Sequence, residues 1–203
     1  MAVPVSNVHA TADVADSAVV AASSRVWHYA QIREDAQIGE NCIVGRGAYI
    51  GTGVEIGNNC KIQNYALVYE PAKLAAGVFV GPAVVFTNDQ FPRAVNGDGT
   101  LKSGADWEAV GVEVREGASI GASSVCIAPV IIGRWALVGA GSTVVKNVPD
   151  FALVVGNPAR RVGWVGRAGQ PLVEFAPGVW ICPSTSKRYR QEGPDELIEV
   201  ENL

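Results

Sequence analysis

An aliphatic residue returns every six positions along most of this chain. Stepping by six from Val8 meets Val14, Val20, Val26, Ile32, Ile38, Val44, Ile50, Ile56, Ile62, Val68, Leu74, Val80 and Phe86, every one apolar. Four places after each stands a slim side chain, from Ala12, Ala18, Ser24 and Ala30 through Cys42 and Cys60 to Val84. The pattern stops at Gln90 and resumes in phase from Val114 through Ile120, Cys126, Ile132, Val138 and Val144, closing on the residues NVPD. Helical faces recur at about 3.6 residues and strand faces at about 2, so this period demands a short strand, a turn and another short strand. One hexapeptide buries nothing alone, and stability must come from stacking like on like. Gly often follows the aliphatic residue, as at Gly39, Gly45, Gly51, Gly57, Gly81, Gly121, Gly133 and Gly139. Such a Gly is required where a side chain would crowd neighbouring backbone or where φ must be positive.

With this repeat the chain resembles the hexapeptide-repeat proteins. The resemblance implies an all-β fold, a left-handed parallel β-helix of triangular section with three hexapeptides to a coil and stacking partners 18 residues apart. The left hand comes from the resemblance alone, since parallel crossovers are ordinarily right-handed. Residues 108–113, EAVGVE, keep the slim partner at Val112 and read as a degenerate repeat. Fourteen repeats, this one and six more make 21, or seven coils. Left over is a 16-residue loop, 92–107, rich in turn formers, and a loop that long in so regular a body is usually functional or disordered. The expected organisation is a β-helix over 1–150 and a C-terminal capping segment with a hairpin-like tail over 151–203, which covers an edge that would otherwise invite aggregation.

Composition narrows the function. Lys and Arg number 16 against 20 acids, a net charge of -4, so no basic stripe for nucleic acid is expected. No stretch approaches the roughly 18 apolar residues of a membrane span, and the N-terminal residues lack the pattern of an export signal. A cytoplasmic location is expected. Four cysteines show no CxxC pair, and two histidines cannot supply the three ligands of a zinc site. No metal is expected, which sets aside the zinc-dependent anhydrases built on the same repeat. Cys42 and Cys60 should stack inside as reduced thiols.

Within the hexapeptide-repeat proteins, "GPAVVFTNDQFPRA", "YALVYEP", "GASIGASSVCIAPVIIG" and "GNPARRVGWVG" resemble the N-acyltransferases that modify nucleotide-linked 3-amino sugars. The likeness spans roughly residues 5–168. It implies a homotrimer with sites between subunits, an acyl-CoA donor, acetyl-CoA first among them, and a UDP- or dTDP-linked amino-sugar acceptor. Two alternatives stay open: an O-acetyltransferase or small-molecule acetyltransferase using His28 as base, and a non-catalytic scaffold binding a partner through its loop.

Stacking arithmetic singles out residues. Asn88 takes the third place of its hexapeptide, in a column expected to read Asp16, Glu34, Thr52, Glu70, Asn88, Ala122 and Ala140. Glu70 then lies about 4.8 Å below Asn88, and a lane of small residues above it would let a pantetheine arm lie along the coils. Asn88 is expected to orient the amine, with Glu70, Asp89 and Arg93 on the sugar nucleotide. Ala122, Ala140, Lys146, Asn157, Arg160 and Arg161 are expected on the CoA side. Each has a plainer reading: Asn88 as a turn cap, Asp89 as the residue opening the loop, Glu70 as a solvated acid, Arg93 in a loop-anchoring ion pair, the remaining cations in solvent. His28 is the rival base, but it falls on another face roughly 14 Å down the axis, so it reaches Asn88 only across a subunit interface. His9 reads as structural.

Overall fold

The structure, a computed structural model, describes residues 7–200. The hexapeptides become two-residue strands joined by turns, beginning Asp13–Val14, Val19–Val20 and Arg25–Val26. They stack in three parallel sheets, the sides of a left-handed β-helix. Sheet I holds seven strands from Asp13–Val14 to Thr143–Val144, and sheet II six from Val19–Val20 to Val130–Ile132. Sheet III rises from Arg25–Val26 to Ala152–Gly156 and ends on the antiparallel strand Ala159–Trp164.

Both inward places of the repeat are filled as the period requires. Ile32, Ile50, Ile62, Val68 and Phe86 are buried, and so are the slim Ala30, Ala48 and Ala66. The polar slim residues are satisfied: Ser24 donates to the Gly39 carbonyl at 2.6 Å, and Ser142 to that of Gly139 at 2.6 Å. Cys42 and Cys60 are buried free thiols, donating to the Gly57 and Ala75 carbonyls at 3.1 Å each. A weak donor thus finds an acceptor in the coil above.

The glycines after the aliphatic residues answer to crowding rather than to φ. A Cβ on Gly121 would lie 2.4 Å from the Ala140 nitrogen and 2.8 Å from its Cα, both backbone. Positive φ falls two places later, at Asp35, Asn41 and Asn59 for example. Gly121→Ala should therefore lower stability by about 1–3 kcal/mol, an overpacking cost that no side-chain movement relieves. Gly163→Ala, which meets nothing within 4 Å, should be near neutral. Thermal unfolding of the pair checks this; equal melting temperatures would refute the close-approach account.

The outer faces differ. Sheet II presents Gln37, Glu55, Lys73 and Glu113, with Lys73 paired to Glu55 at 2.7 Å. Sheet I presents Tyr49, Leu67, Val85 and Val125, and beside them Ile127 and Val145, 38% and 42% exposed.

The expected bookkeeping across the break needs correction. Leu74 pairs with Val114, Val80 with Ile120 and Phe86 with Cys126, so residues 108–113 take no step around the coil. Instead Val112, 1% exposed, fills the slim place that Gln90 leaves. The physical reason is economy of the core: the excursion departs from the middle of one hexapeptide and returns to finish the same one. The missing repeat is made up at the far end, where Val148 bridges Ile132 and Leu153–Val154 pair with Leu137–Val138. The β-helix therefore continues past Asp150.

The end is then covered by a four-stranded antiparallel sheet of Val173–Ala176, Val179–Ile181, Arg188–Gly193 and Glu196–Val200. Tyr189, buried, meets Phe151 edge-on with ring centroids 5.4 Å apart, and Trp164, Leu172 and Leu197 are buried in the same layer. Among the described residues no helix is long and apolar enough to cross a membrane.

Candidate active site

The loop leaves sheet I after Val85–Phe86 and re-enters sheet II at Val112–Val114. Its two ends meet at Asn88, whose carbonyl accepts the Val110 N–H at 3.0 Å. That bond uses only backbone, which any residue could supply, and it leaves the carboxamide for other work. One coil below lies Glu70, and Asn88 Nδ2 donates to Glu70 Oε1 at 3.5 Å. A carboxylate only accepts, so the amide must turn its NH2 toward Glu70 and its oxygen away. Among the described residues no hydrogen bond reaches that oxygen.

Glu70 is not a solvated acid. Its Oε2 is buried without a partner, folded over Gly51, where a Cβ would come within 2.2 Å of it. Elsewhere this corner arrangement uses a shorter side chain: Asn58 Oδ1 accepts the Glu40 N–H at 2.8 Å and Asn64 Oδ1 that of Arg46 at 2.9 Å. Glutamate is one methylene longer, which lets its other oxygen rise toward Asn88. Gly111 closes over the neighbouring Pro71, with a virtual Cβ 2.7 Å from the Pro71 carbonyl. Desolvation, and then the Glu70 charge, hold the Tyr49 hydroxyl above the ordinary phenol range.

The remaining expectations divide. Asp89 Oδ1 accepts the Phe91 N–H at 2.7 Å, the bond of a residue that opens a turn. Arg93 is exposed and donates to the Pro92 carbonyl at 2.9 Å, with no ion pair among the described residues. The column above Asn88 is not the expected alanine lane. Since Phe86 pairs with Cys126 and Cys126 with Val144, the third places above Asn88 are Ala128 and Lys146, and Ala128 is buried. Ala122 and Ala140 belong instead to the corner between sheets III and I, which runs His28, Arg46, Asn64, Pro82, Ala122, Ala140. The shift of one hexapeptide follows directly from the miscounted re-entry. His28 is therefore on that lane, and Asn88 on a different corner, three coils away along the stack.

Lys146, Arg160 and Arg161 do come together, lining one cleft of about 190 Å³ at the end of the β-helix. Arg161 lies 4.2 Å over the buried Trp164 ring and 3.4 Å from Asp195, at the tip of the last hairpin. Asn157 is exposed on the turn between the final two strands of sheet III. Sequence reasoning missed Thr87, whose Oγ1 accepts the Ala128 N–H at 3.0 Å and fixes the strand end beside Asn88, and it missed the hairpin tip altogether. Among the described residues no group of three or more His, Cys, Asp or Glu is placed to hold a metal.

Comparison with known proteins agrees with the repeat. Residues 17–52 match the pattern of the bacterial transferase hexapeptide (six repeats), and residues 114–146 that of the hexapeptide repeat of succinyl-transferase. Over 77 residues the chain is 48% identical to the dTDP-3-amino-3,6-dideoxy-alpha-D-galactopyranose 3-N-acetyltransferase of Aneurinibacillus thermoaerophilus, covering 38% of this chain and 39% of that one. Over 90 residues it is 40% identical to the serine acetyltransferase of Escherichia coli K12, covering 44% of this chain and 32% of the relative. The chain thus spans about two fifths or less of these relatives' lengths. Among solved structures, a hexapeptide-repeat acetyltransferase of Vibrio cholerae in complex with acetyl coenzyme A is similar, with a TM-score of 0.56 and 20% identity over 65% of this chain and 72% of that one. An N-acyltransferase from Bacillus cereus, solved with dTDP-4-amino-4,6-dideoxyglucose and coenzyme A, is similar with a TM-score of 0.51 and 17% identity over 79% and 81%. Both likenesses concern the fold.

Proposed function

We propose that this chain, whose residues 17–52 and 114–146 match hexapeptide-repeat patterns, transfers an acetyl group from acetyl-CoA to the 3-amino group of a UDP- or dTDP-linked amino sugar. The observation that carries this reading is the polarity of the Asn88 amide. With its NH2 bound to Glu70, it offers an outward acceptor, the complement of an amine N–H. The 48% identical relative, named for 3-N-acetylation of a dTDP-linked amino sugar, supports the acceptor class.

An amine is a nucleophile once neutral, and ring oxygens hold its pKa well below the ~10.4 of lysine. Acylation then rests on positioning, which supplies as much as roughly 7–11 kcal/mol of the barrier. Asn88 Oδ1 holds one amine N–H so that the nitrogen lone pair faces the thioester carbonyl. The C–N bond forms, the C–S bond breaks, and the departing thiolate takes the proton that the amine nitrogen sheds. Glu70 acts through Asn88 as a positioning residue. Asp89 shapes the loop that flanks the sugar, and Arg93 on that loop serves the acceptor's anionic groups.

The protein is proposed to work as a homotrimer with sites between subunits. Sheet I supports this, since its apolar outer face wants cover while the charged face of sheet II does not. On this reading CoA runs along the corner of Ala122 and Ala140, where small side chains leave room for pantetheine, with its phosphates toward Asn157 and the end cleft of Arg160 and Arg161, which Lys146 enters from the Asn88 column. Similarity to serine acetyltransferase keeps one second reading in view, O-acetylation with His28 as base. Against it, the ring contacts of His28 are to His9, Trp27 and Tyr29, and no carboxylate orients it among the described residues.

Calorimetric titration with CoA tests the donor half. Binding is expected, weakened at least fivefold by Arg160→Ala with Arg161→Ala, each charged contact being worth about 1 kcal/mol or more once desolvated. A folded protein that does not bind CoA would sink the enzyme reading in favour of a non-catalytic scaffold.

A further inference from the structure

The lower coils hold a second concavity on the corner that carries Ala122 and Ala140. It measures about 380 Å³ and is lined by Trp27, His28, Arg46, Gln63 and Asn64 among others, with no acidic side chain. In a chain of 20 acids and 16 bases this is unusual. Arg25 and Lys61 belong to the same strand column, through Ile43, and Arg25 lies 5.6 Å from the Trp27 ring centroid. Among the described residues no carboxylate pairs with Arg25, Arg46 or Lys61, although seven ion pairs are formed elsewhere. The Arg46 guanidinium rests only on the Tyr29 ring, 5.3 Å away. Flat surface is present too. His9 stacks on His28 at 3.5 Å, Trp27 lies nearly parallel to His28 at 11°, and the indole is left 40% exposed. Asn64 spends its oxygen on the Arg46 N–H, which turns its NH2 outward as a donor.

Unpaired cations beside an exposed aromatic plane and amide donors are what a nucleobase followed by a diphosphate requires: stacking for the base, charge-assisted hydrogen bonds for the phosphates. We propose that this cleft is the subsite for the nucleoside diphosphate of the acceptor. The inference rests on the acyltransferase reading. CoA carries a base and a diphosphate as well, but the CoA cations Lys146, Arg160 and Arg161 sit at the opposite end of the stack. Donor and acceptor then lie end to end along one corner, CoA on the upper coils and the nucleotide on the lower. Asn88, on another corner, meets them from a neighbouring copy.

The experiment titrates UDP, dTDP and CoA separately into the wild-type protein and into Trp27→Ala, Trp27→Phe and Arg46→Gln. Both positions are exposed, and melting temperatures verify that each variant is folded. At least one nucleotide should bind the wild type; Trp27→Ala and Arg46→Gln should each weaken it tenfold or more, Trp27→Phe should restore most of the loss, and CoA affinity should not move. Nucleotide affinity unchanged in both variants overturns the subsite, as does CoA affinity falling in parallel, which would give the cleft to CoA. CoA binding without either nucleotide overturns the subsite and leaves the transferase reading standing. Failure of all three ligands on folded protein removes both.

Discussion

Asn88→Ala is expected to lower kcat for N-acetylation about a hundredfold or more, while the KM for CoA changes little and the protein melts where the parent does. The size follows from what is lost: a reacting amine released from one orientation forfeits positioning, and a misplacement of about 1 Å alone costs on the order of 10²-fold. Stability is spared because the loop closure uses the Asn88 carbonyl, which alanine keeps. Asn88→Asp sharpens the test. It has nearly the same shape but faces Glu70, 3.5 Å away, with a second acceptor in place of a donor. Two such carboxylates cannot both stay ionised comfortably, so one takes up a proton as pH falls. The aspartate variant should therefore be poor at neutral pH and recover part of its activity on acidification, opposite to the trend of an amine substrate that needs to be neutral. Steady-state kinetics across pH, with CoA thiol release as the readout, measure both. If His28→Ala abolishes turnover and Asn88→Ala does not, the base-free mechanism is wrong and O-acetylation gains.

The difference between what the sequence disclosed and what it hid lies in how far each residue's environment is local. Val8 to Phe86 and Val114 to Val144 repeat because each faces the same triangular core, so the period implied short stacked strands, and the resemblance to hexapeptide-repeat proteins added the three-sided parallel coil that buries Cys42 and Cys60. The vertical pairing of Glu70 with Asn88 was legible for the same reason, being one coil of uninterrupted repeat. Re-entry after the loop was not. Val112 looks like the slim residue of a new hexapeptide, yet it finishes the one that Phe86 began, and nothing in EAVGVE distinguishes these cases. Only the register does, and the one-step error carried Ala122 and Ala140 from the His28 corner to the Asn88 corner. The meeting of Arg161 with Asp195 was equally hidden, because the hairpin that brings Asp195 back has no part in the period. The turn of Glu70 Oε2 over Gly51, where it is buried without a partner, was invisible to a column count, which does not say which way a side chain folds.

Phe86→Ala should destabilise the protein by about 3–5 kcal/mol, the usual cost of emptying a buried aromatic site. Phe86 is fully buried and is stacked between Val68 below and Cys126 above, in the coil from which the loop departs. The triangular core cannot collapse onto the gap, because its three walls are held apart by the backbone ladders of the sheets. For a chain of this length, each kcal/mol lowers the melting temperature by roughly 2–4 °C, so the expected fall is on the order of 6–20 °C. Phe86→Leu keeps most of the volume and should cost less than about half as much. Phe91→Ala removes an aromatic side chain that is 75% exposed and should leave the melting temperature unchanged. Calorimetric scans of the three variants decide; a Phe86→Ala protein melting within about 2 °C of the parent would show that this coil is not a packed part of the core. Solenoids are stabilised coil by coil through nearest neighbours, so the damage should stay near the loop rather than spread evenly. Because Asn88 follows Phe86 by two residues, catalytic activity in Phe86→Ala should fall on warming before the global transition.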